Sequence, residues 1–209
     1  MSNMFEAATI SQGGRFLCVA ITPRMIEQAK ARRTRLEQHT RHRSSHLDLG
    51  DRWLGDLGEL VLGQYLKHHK IPFTWMAGPI DDQFDDDFEI VGWITEVKCQ
   101  RTHYIPRKHF SLNIKESSFH HMNKEGKVHH IVWLIFHQEE MTMYLAGYMG
   151  RSMFTRVSRR EVKGRSYYGN ECKWDRRVVS VKETAAILKW MVLNEYQIEW
   201  RKHEKEKET

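Results

Sequence analysis

Acidic side chains and one amine that could work together in catalysis lie close to one another between residues 85 and 100. Asp85-Asp86-Asp87 precede a short apolar run, and Glu96 and Lys98 follow it. Residues two apart in a β-strand point to the same face, so a strand here would align Glu96 with Lys98. Carboxylates beside an amine are suited to binding a hard divalent cation and activating water against a phosphate ester.

A tight turn would bring the acids of both halves together. With Gly92-Trp93 as a two-residue turn, glycine first, the predicted pairs are Val91 with Ile94, Glu89 with Glu96, and Asp87 with Lys98. Three carboxylates and one amine would then share one face, and burying them would be costly without a compensating cation. Mg²⁺ meets this need because it prefers carboxylate oxygen and retained water.

The candidate ligands of this cation are Asp87, Glu96 and the backbone carbonyl of Val97. Lys98 is the candidate for holding the attacking water or for acid–base chemistry, because its charge also balances that of a phosphate. Asp86 remains an alternative to Asp87, which is favoured because an apolar residue follows it. The competing interpretation is a solvated acidic loop on an ordinary basic protein.

The surrounding elements must position this segment. Apolar residues at three- and four-residue spacing predict a helix over Asp51–His69, with Glu59 beside its apolar stripe. Thr22 and Pro23 predict the start of an earlier helix that runs to Gln38. The other predicted elements are strands at Phe16–Ile21, Phe88–Val91, Trp93–Cys99, Val128–His137 and Met141–Gly147, and helices at Glu116–Asn123, Arg151–Arg160 and Ser180–Trp200. This order predicts an α/β fold in which helices flank a mixed sheet.

Composition excludes several classes of protein. The chain has 209 residues, of which 40% are hydrophobic, which is enough for a core and excludes wholesale disorder. Its longest apolar run, Ile131–Phe136, is far shorter than a membrane-spanning helix requires. Because the first twenty residues lack the features of a secretory signal, we expect a cytoplasmic protein. Three scattered cysteines exclude a disulfide framework and offer no CxxC metal site.

Charge is unevenly distributed along the chain. The net charge is +6, but residues 81–97 carry seven acids and no Lys or Arg, which leaves +13 on the rest of the chain. This pattern predicts a polyanionic partner and a separate cation site. The candidate phosphate contacts are basic residues in two segments: Arg32, Arg35, Arg41, Arg43, Arg156, Arg159, Arg160, Lys163 and Arg165. For any one of these residues, a solvated surface position is an equally good interpretation.

Asp87 followed by Glu96-Val97-Lys98 resembles the signature of the PD-(D/E)XK nuclease superfamily, which includes restriction-endonuclease-like enzymes and Holliday-junction resolvases. Residues 55–66 resemble the first helix of that superfamily, whose glutamate reaches the metal site and corresponds to Glu59. Residues 130–137 and 144–148 are similar to its later strands. The resemblance covers about residues 50 to 195 in the order α, β, β, β, α, β. The chain departs from the signature in having no proline directly before the aspartate.

The resemblance implies a Mg²⁺-dependent deoxyribonuclease, with Mn²⁺ as a substitute and DNA as substrate. Glu59, Asp87, Glu96 and Lys98 would form its centre, with Glu59 among the metal ligands, and Gln100 would extend the same strand face. The implied fold is a restriction-endonuclease-like core with a mixed four- to five-stranded sheet over residues 50–200. An N-terminal strand and basic helix would be added over residues 1–49, and residues 201–209 would form a charged tail.

Two other functions remain open at this point. One is a catalytically silent nucleic-acid-binding module on the same core. The other is an RNA-directed or regulatory protein that uses the basic surface alone. The intact set of Glu59, Asp87, Glu96 and Lys98 argues against a silent module. A homodimer and a monomer are both compatible with nuclease activity.

Overall fold

A mixed sheet of seven strands organises the chain. The computed structural model describes residues 5–10, 14–39, 52–76, 87–167 and 170–184. Its strands are β1 (Phe5–Ile10), β2 (Gly14–Ala20), β3 (Phe73–Trp75), β4 (Phe88–Ile90), β5 (Trp93–Thr102), β6 (Ser111–Lys115), β7 (His130–His137), β8 (Thr142–Gly150), β9 (Arg159–Glu161), β10 (Ser166–Tyr167), β11 (Asn170–Glu171) and β12 (Arg176–Ser180). Its helices are α1 (Pro23–His39), α2 (Trp53–His68), α3 (Glu116–Glu125) and α4 (Arg151–Val157), followed by a 3₁₀ turn (Val181–Glu183).

The strand order of the main sheet is β1-β2-β8-β7-β5-β4-β3. Strands β5 and β7 are parallel, and the other neighbours are antiparallel. The predicted α/β class and mixed sheet are therefore confirmed. Residues 50–200 contribute five strands to this sheet (β3, β4, β5, β7 and β8), within the four or five predicted for the core, and β2 is the predicted N-terminal strand. Strand β1, which extends the β2 edge, was not predicted. Strands β6, β12 and β9 form a second sheet, and β10 pairs with β11.

Helices α1 and α2 cover one face of the main sheet. Most of the stripe predicted for α2 is buried, including Leu57, Val61 and Tyr65, which are 0% exposed. Trp53 and Leu60, at its margin, are partly buried. Helix α1 begins at Pro23, as predicted, and the Thr22 hydroxyl accepts a hydrogen bond from the Met25 N–H at 3.3 Å. We call the core on this face the α2-side core.

The opposite face of the sheet packs against α3, α4 and the second sheet, forming what we call the α3-side core. Strand β7 shows how the two cores are separated. Its residues Val132, Leu134 and Phe136 enter the α2-side core, whereas Ile131 and Trp133 enter the α3-side core. Because both faces of β7 are covered, its sequence is almost continuously apolar rather than alternating.

The β4–β5 hairpin turns one residue earlier than predicted. Its turn residues are Val91 and Gly92, with φ of 51° and 79°, so Ile90 pairs with Trp93. Positive φ at both positions suits the right-handed twist of a two-residue hairpin. The predicted pairing is therefore wrong by two positions, so Glu89 lies opposite Ile94 rather than Glu96. A shift of two keeps every side chain on its predicted face, because strand faces alternate with a period of two.

Two later predictions also need correction. The helix predicted over Arg151–Arg160 ends at Val157, and the following residues form β9 instead. Pairing with β12 explains the change, because it sets Glu161 opposite Arg176. In place of the helix predicted from Ser180, the described residues form a 3₁₀ turn that ends at Glu183, and the Ser180 N–H donates to Glu183 Oε2 at 2.6 Å. The rest of that prediction lies outside the described residues. Among the described helices, none is long and apolar enough to cross a membrane.

Two glycines of α2 provide a test of how closely this helix packs on β5. A Cβ at Gly58 would lie 2.9 Å from Cys99 Cβ, whereas a Cβ at Gly55 would meet nothing within 4 Å. We expect Gly58→Ala to lower the free energy of unfolding by about 1–3 kcal/mol through overpacking. Gly55→Ala should raise it by up to about 1 kcal/mol because alanine favours helix. Urea denaturation measures both, and equal effects of the two substitutions would contradict the packing described.

Candidate functional site

Asp87, Glu96 and Lys98 meet where β4 and β5 begin to pair. Asp87 directly precedes β4, and its Oδ2 accepts a hydrogen bond from the Val97 N–H at 2.5 Å. The Lys98 ammonium donates to Glu96 Oε1. Both side chains are partly buried, and by strand alternation they project from β5 on the face opposite Val97. The predicted grouping of one lysine with carboxylates on this hairpin is therefore present.

The charges of the neighbouring side chains change the pKa values of Asp87 and Lys98. Burial raises the pKa of Asp87 well above its usual range, and the carboxylates of Glu96 and Glu59 raise it further. The Lys98 charge and the Val97 N–H oppose this rise without cancelling it. For Lys98, burial works against the charged form, but Glu96 and Asp87 together raise its pKa. The site therefore holds a charged Lys98 beside Asp87, whose pKa the neighbouring carboxylates raise.

Helix α2 brings Glu59 toward this group, as predicted. Glu59 Oε2 accepts hydrogen bonds from Arg32 Nη2 at 2.7 Å and from Trp75 Nε1 at 3.2 Å. The Arg32 guanidinium also lies 4.3 Å from the centre of the Trp75 ring, in cation–π geometry. Burial raises the pKa of Glu59, and although Arg32 opposes the rise, the carboxylate of Asp56 adds to it. Arg32, predicted as a phosphate contact, is thus occupied by Glu59 in this structure.

The sequence did not single out Asp56, a second acid on α2. It is 0% exposed, and its Oδ2 accepts a hydrogen bond from Arg33 Nε at 2.6 Å. Arg32 Nε lies 3.7 Å from its Oδ1. Burial raises the pKa of Asp56 despite both arginines. Its i, i+3 spacing from Glu59 places both acids on one side of α2, which is the signal that could have predicted an ionic contact with the basic α1.

Gln100 continues the polar face of β5 and connects it to the second sheet. Its Nε2 donates to the Ser111 carbonyl at 3.1 Å, and its Oε1 accepts from the Asn113 N–H at 2.9 Å. The side-chain amide therefore fixes β6 alongside β5. Lys115 lies on the same face of β6 as Ser111 and Asn113. Burial and the charge of Lys98 lower its pKa. Sequence reasoning missed this second lysine beside the site.

The oxygen donors gathered here are of the type that Mg²⁺ binds. They are the carboxylates of Glu59, Asp87 and Glu96, together with the Val97 carbonyl. Basic groups already engage two of these carboxylates, since Arg32 holds Glu59 and Lys98 holds Glu96. Within the described residues, no three His, Cys, Asp or Glu side chains converge in an arrangement that could hold a metal ion. Asp86, the alternative ligand, lies outside those residues.

The predicted phosphate contacts are distributed over several surfaces. Arg35, Arg156, Lys163 and Arg165 are exposed. Arg159 Nε lies 3.4 Å from the buried Glu161 carboxylate, and Arg160 Nη2 lies 3.3 Å from Asp175. Arg41 and Arg43 lie outside the described residues. Cys99 packs against Gly58 on the face of β5 opposite Lys98, and burial raises the pKa of its thiol.

Comparison of the chain with models of protein families, with curated proteins and with solved structures finds no match. The functional interpretation therefore depends on the residues of the site and on their arrangement.

The raised pKa of Asp87 predicts a stability effect that depends on pH. A carboxyl whose pKa is higher in the folded state destabilises the fold increasingly as pH rises from its unfolded pKa toward its folded pKa. Asp87→Asn should therefore raise the free energy of unfolding more at about pH 7 than at about pH 5. Urea denaturation at both pH values measures this difference, with the exposed Glu27→Gln as control. A gain that is equal at both pH values would contradict the assigned shift.

Removing Arg32 should destabilise the protein by leaving Glu59 without its charged partner. We expect Arg32→Gln to lower the free energy of unfolding by about 1–3 kcal/mol, the cost of an unsatisfied buried polar group. Arg35→Gln changes an exposed arginine three residues along the same helix and serves as the matched control. Similar effects of the two substitutions in thermal or urea denaturation would show that the Arg32–Glu59 contact contributes little.

Proposed function

We propose that this protein is a divalent-metal-dependent deoxyribonuclease that hydrolyses phosphodiester bonds in DNA. The observation that carries the proposal is the grouping of Asp87, Glu96 and Lys98 on one hairpin, with Glu59 delivered from α2. The carboxylates of Glu96 and Glu59 raise the pKa of Asp87, which supports a site where added positive charge would be favourable.

The order of elements supports a restriction-endonuclease-like core. Helix α2 is followed by β3, β4 and β5, and then by α3 and β7, with β6 inserted before α3. This is the order α, β, β, β, α, β that the resemblance to the PD-(D/E)XK superfamily implies. The parallel pairing of β5 with β7 across α3 is a crossover connection of the kind found in α/β proteins. On this interpretation β1, β2 and the second sheet are additions to the core.

Each residue of the site has a distinct role in the proposed reaction. Asp87, Glu96, Glu59 and the Val97 carbonyl do not converge on one point in the arrangement described, so they would have to move together to hold Mg²⁺. The bound ion would supply positive charge at the phosphate and make water a better nucleophile. The Val97 N–H orients Asp87 through its short hydrogen bond. The adjoining carboxylates keep Lys98 in its charged form, so that it can orient water and balance the charge of the phosphate.

One observation favours the second candidate, a silent nucleic-acid-binding module. Arg32 and Lys98 already neutralise Glu59 and Glu96 without any metal ion. In such a module the acidic group would only stabilise the fold, and the exposed basic residues would bind the phosphates. The two candidates differ in whether nucleic acid is cleaved.

Cleavage of supercoiled plasmid tests the nuclease. We expect nicking or linearisation with Mg²⁺ or Mn²⁺ and none with EDTA. Lys98→Ala and Glu96→Gln should each lower the rate by about 100-fold or more, since each removes a charged group from the reacting centre. Lys67→Ala and Glu27→Gln remove exposed charges from α2 and α1 and should leave the rate unchanged.

Cleavage that survives Lys98→Ala would show that the hairpin is not the active site. Absence of cleavage on plasmid, branched DNA and single-stranded DNA, with binding intact in every variant, would favour the silent module.

A further inference from the structure

Exposed apolar side chains single out the loop between β5 and β6. In the part of the chain that the structure describes, three large apolar side chains are strongly exposed, and two of them are neighbours in this loop. Tyr104 is 80% exposed and Ile105 is 49% exposed, whereas the third, Met153, lies on α4. Adjacent exposed apolar residues on a soluble surface mark a binding site more often than isolated ones do.

The loop holds Tyr104 outward on a fixed backbone. The Thr102 hydroxyl donates to the Tyr104 carbonyl and accepts from the Tyr104 N–H, both at 3.0 Å. At the other end, the Lys182 N–H donates to the Lys108 carbonyl at 2.8 Å. Pro106 is buried between these anchors. An aromatic ring presented on an ordered loop binds with a small loss of conformational entropy.

The charge around the ring indicates the chemistry of its ligand. Between Val97 and Lys115 the chain carries five Lys or Arg residues and no Asp or Glu. Within the loop itself, Arg107 and Lys108 are exposed, as are His103 and His109. Glu139, from the β7–β8 turn, has its Oε1 3.8 Å from His103 Nδ1. An aromatic ring among cations suits a ligand that is both planar and anionic.

We propose that residues 103–109 form a binding site for an unpaired base of a single-stranded nucleic acid. The Tyr104 ring stacks on the base, Ile105 packs against its edge, and Arg107 and Lys108 contact the flanking phosphates. Stacking on an exposed ring requires a base that is not already paired in a duplex, which makes single-stranded segments the substrate class. An acidic protein partner would be attracted by the same cations but would not require the aromatic face.

The position of the loop fits the proposed nuclease site, and this step rests on the proposed function. Tyr104 follows Lys98 by six residues, a distance of at most about 20 Å along an extended strand. At the duplex spacing of about 3.4 Å per nucleotide this distance corresponds to roughly six nucleotides, and an extended single strand would cover it with fewer. The Tyr104 site would thus hold single-stranded DNA a few nucleotides from the bond to be cut.

Binding measured in EDTA tests the proposal independently of cleavage. The probe is a fluorescein-labelled oligodeoxyadenylate of about twelve nucleotides, roughly twice that span, and the readout is fluorescence anisotropy. We expect Tyr104→Ala to weaken binding by about 5- to 100-fold and Tyr104→Phe to retain it, because the ring and not the hydroxyl stacks. Lys67→Ala should bind like the wild type, and thermal denaturation checks that every variant is folded.

Salt dependence separates stacking from charge. Tyr104→Ala should leave the slope of log affinity against log salt unchanged, whereas Lys108→Ala should reduce it by about 0.7. Equal binding by Tyr104→Ala and wild type would overturn the proposal, as would an equal loss in Tyr104→Ala and Tyr104→Phe. The proposal would also be overturned if Tyr104→Ala weakened the binding of duplex DNA as much as the binding of single strands. Equal displacement of the probe by polyglutamate from the wild type and from Tyr104→Ala would overturn it as well. A plasmid that is not cut, with these binding results intact, would sink the nuclease proposal alone.

Discussion

Strand β5 lies in the interior of a sheet whose two faces are both covered by other elements. One face of the strand is apolar and the other carries charged and polar side chains, and the surrounding elements must supply partners for both. On one face, Val97 and Cys99 pack against α2, and Gly58 allows that close approach. On the other face, Glu96, Lys98 and Gln100 are partly buried and need partners, because a buried polar group without one is costly. Glu96 and Lys98 are partners of each other, and Gln100 bonds to the backbone of β6. The charge of Asp87 also helps to raise the pKa of Lys98.

Charge neutralisation within the site explains why α1 is basic. Arg32 and Arg33 reach across to Glu59 and Asp56 on α2, so two of the basic residues in this helix serve the interior of the protein. Lys98 does the same for Glu96 on β5. Acidic side chains held in this way can persist without a bound cation, although burial and, to a smaller extent, neighbouring carboxylates still raise the pKa values of Glu59 and Asp87. Such a site is stable enough to fold and still favours additional positive charge.

The connection from β5 to β6 runs from the candidate site to the surface of the protein. Gln100 fixes β6 beside β5, and the loop between these two strands carries Tyr104 outward. Asp87, Glu96 and Lys98 therefore belong to the same continuous stretch of chain as the exposed Tyr104 ring, from Asp87 to Lys115. A single strand and its return connection thus supply both a candidate reaction centre and a candidate surface for its substrate.

Local patterns in the sequence predicted the four described helices and five of the described strands, namely β2, β4, β5, β7 and β8. The short strands β3 and β9–β12, the edge strand β1 and strand β6 were not predicted. Three of these patterns involve only residues close together in the chain: the apolar spacing of α2, the Thr22-Pro23 start of α1 and the alternation of β5. They can therefore be recognised from the sequence without knowledge of the fold. The face shared by Asp87, Glu96 and Lys98 followed in the same way, because a two-residue shift in register leaves strand faces unchanged. Four features depended on long-range packing: the seven-stranded extent of the sheet, the hold of Arg32 on Glu59, the burial of Asp56 and the attachment of β6 through Gln100. Their partners lie far apart in the chain or in separate elements, and local spacing carries no information about which of many charged or polar residues will meet. The sequence by itself therefore determined which groups could do chemistry, and tertiary packing decided which partners hold them.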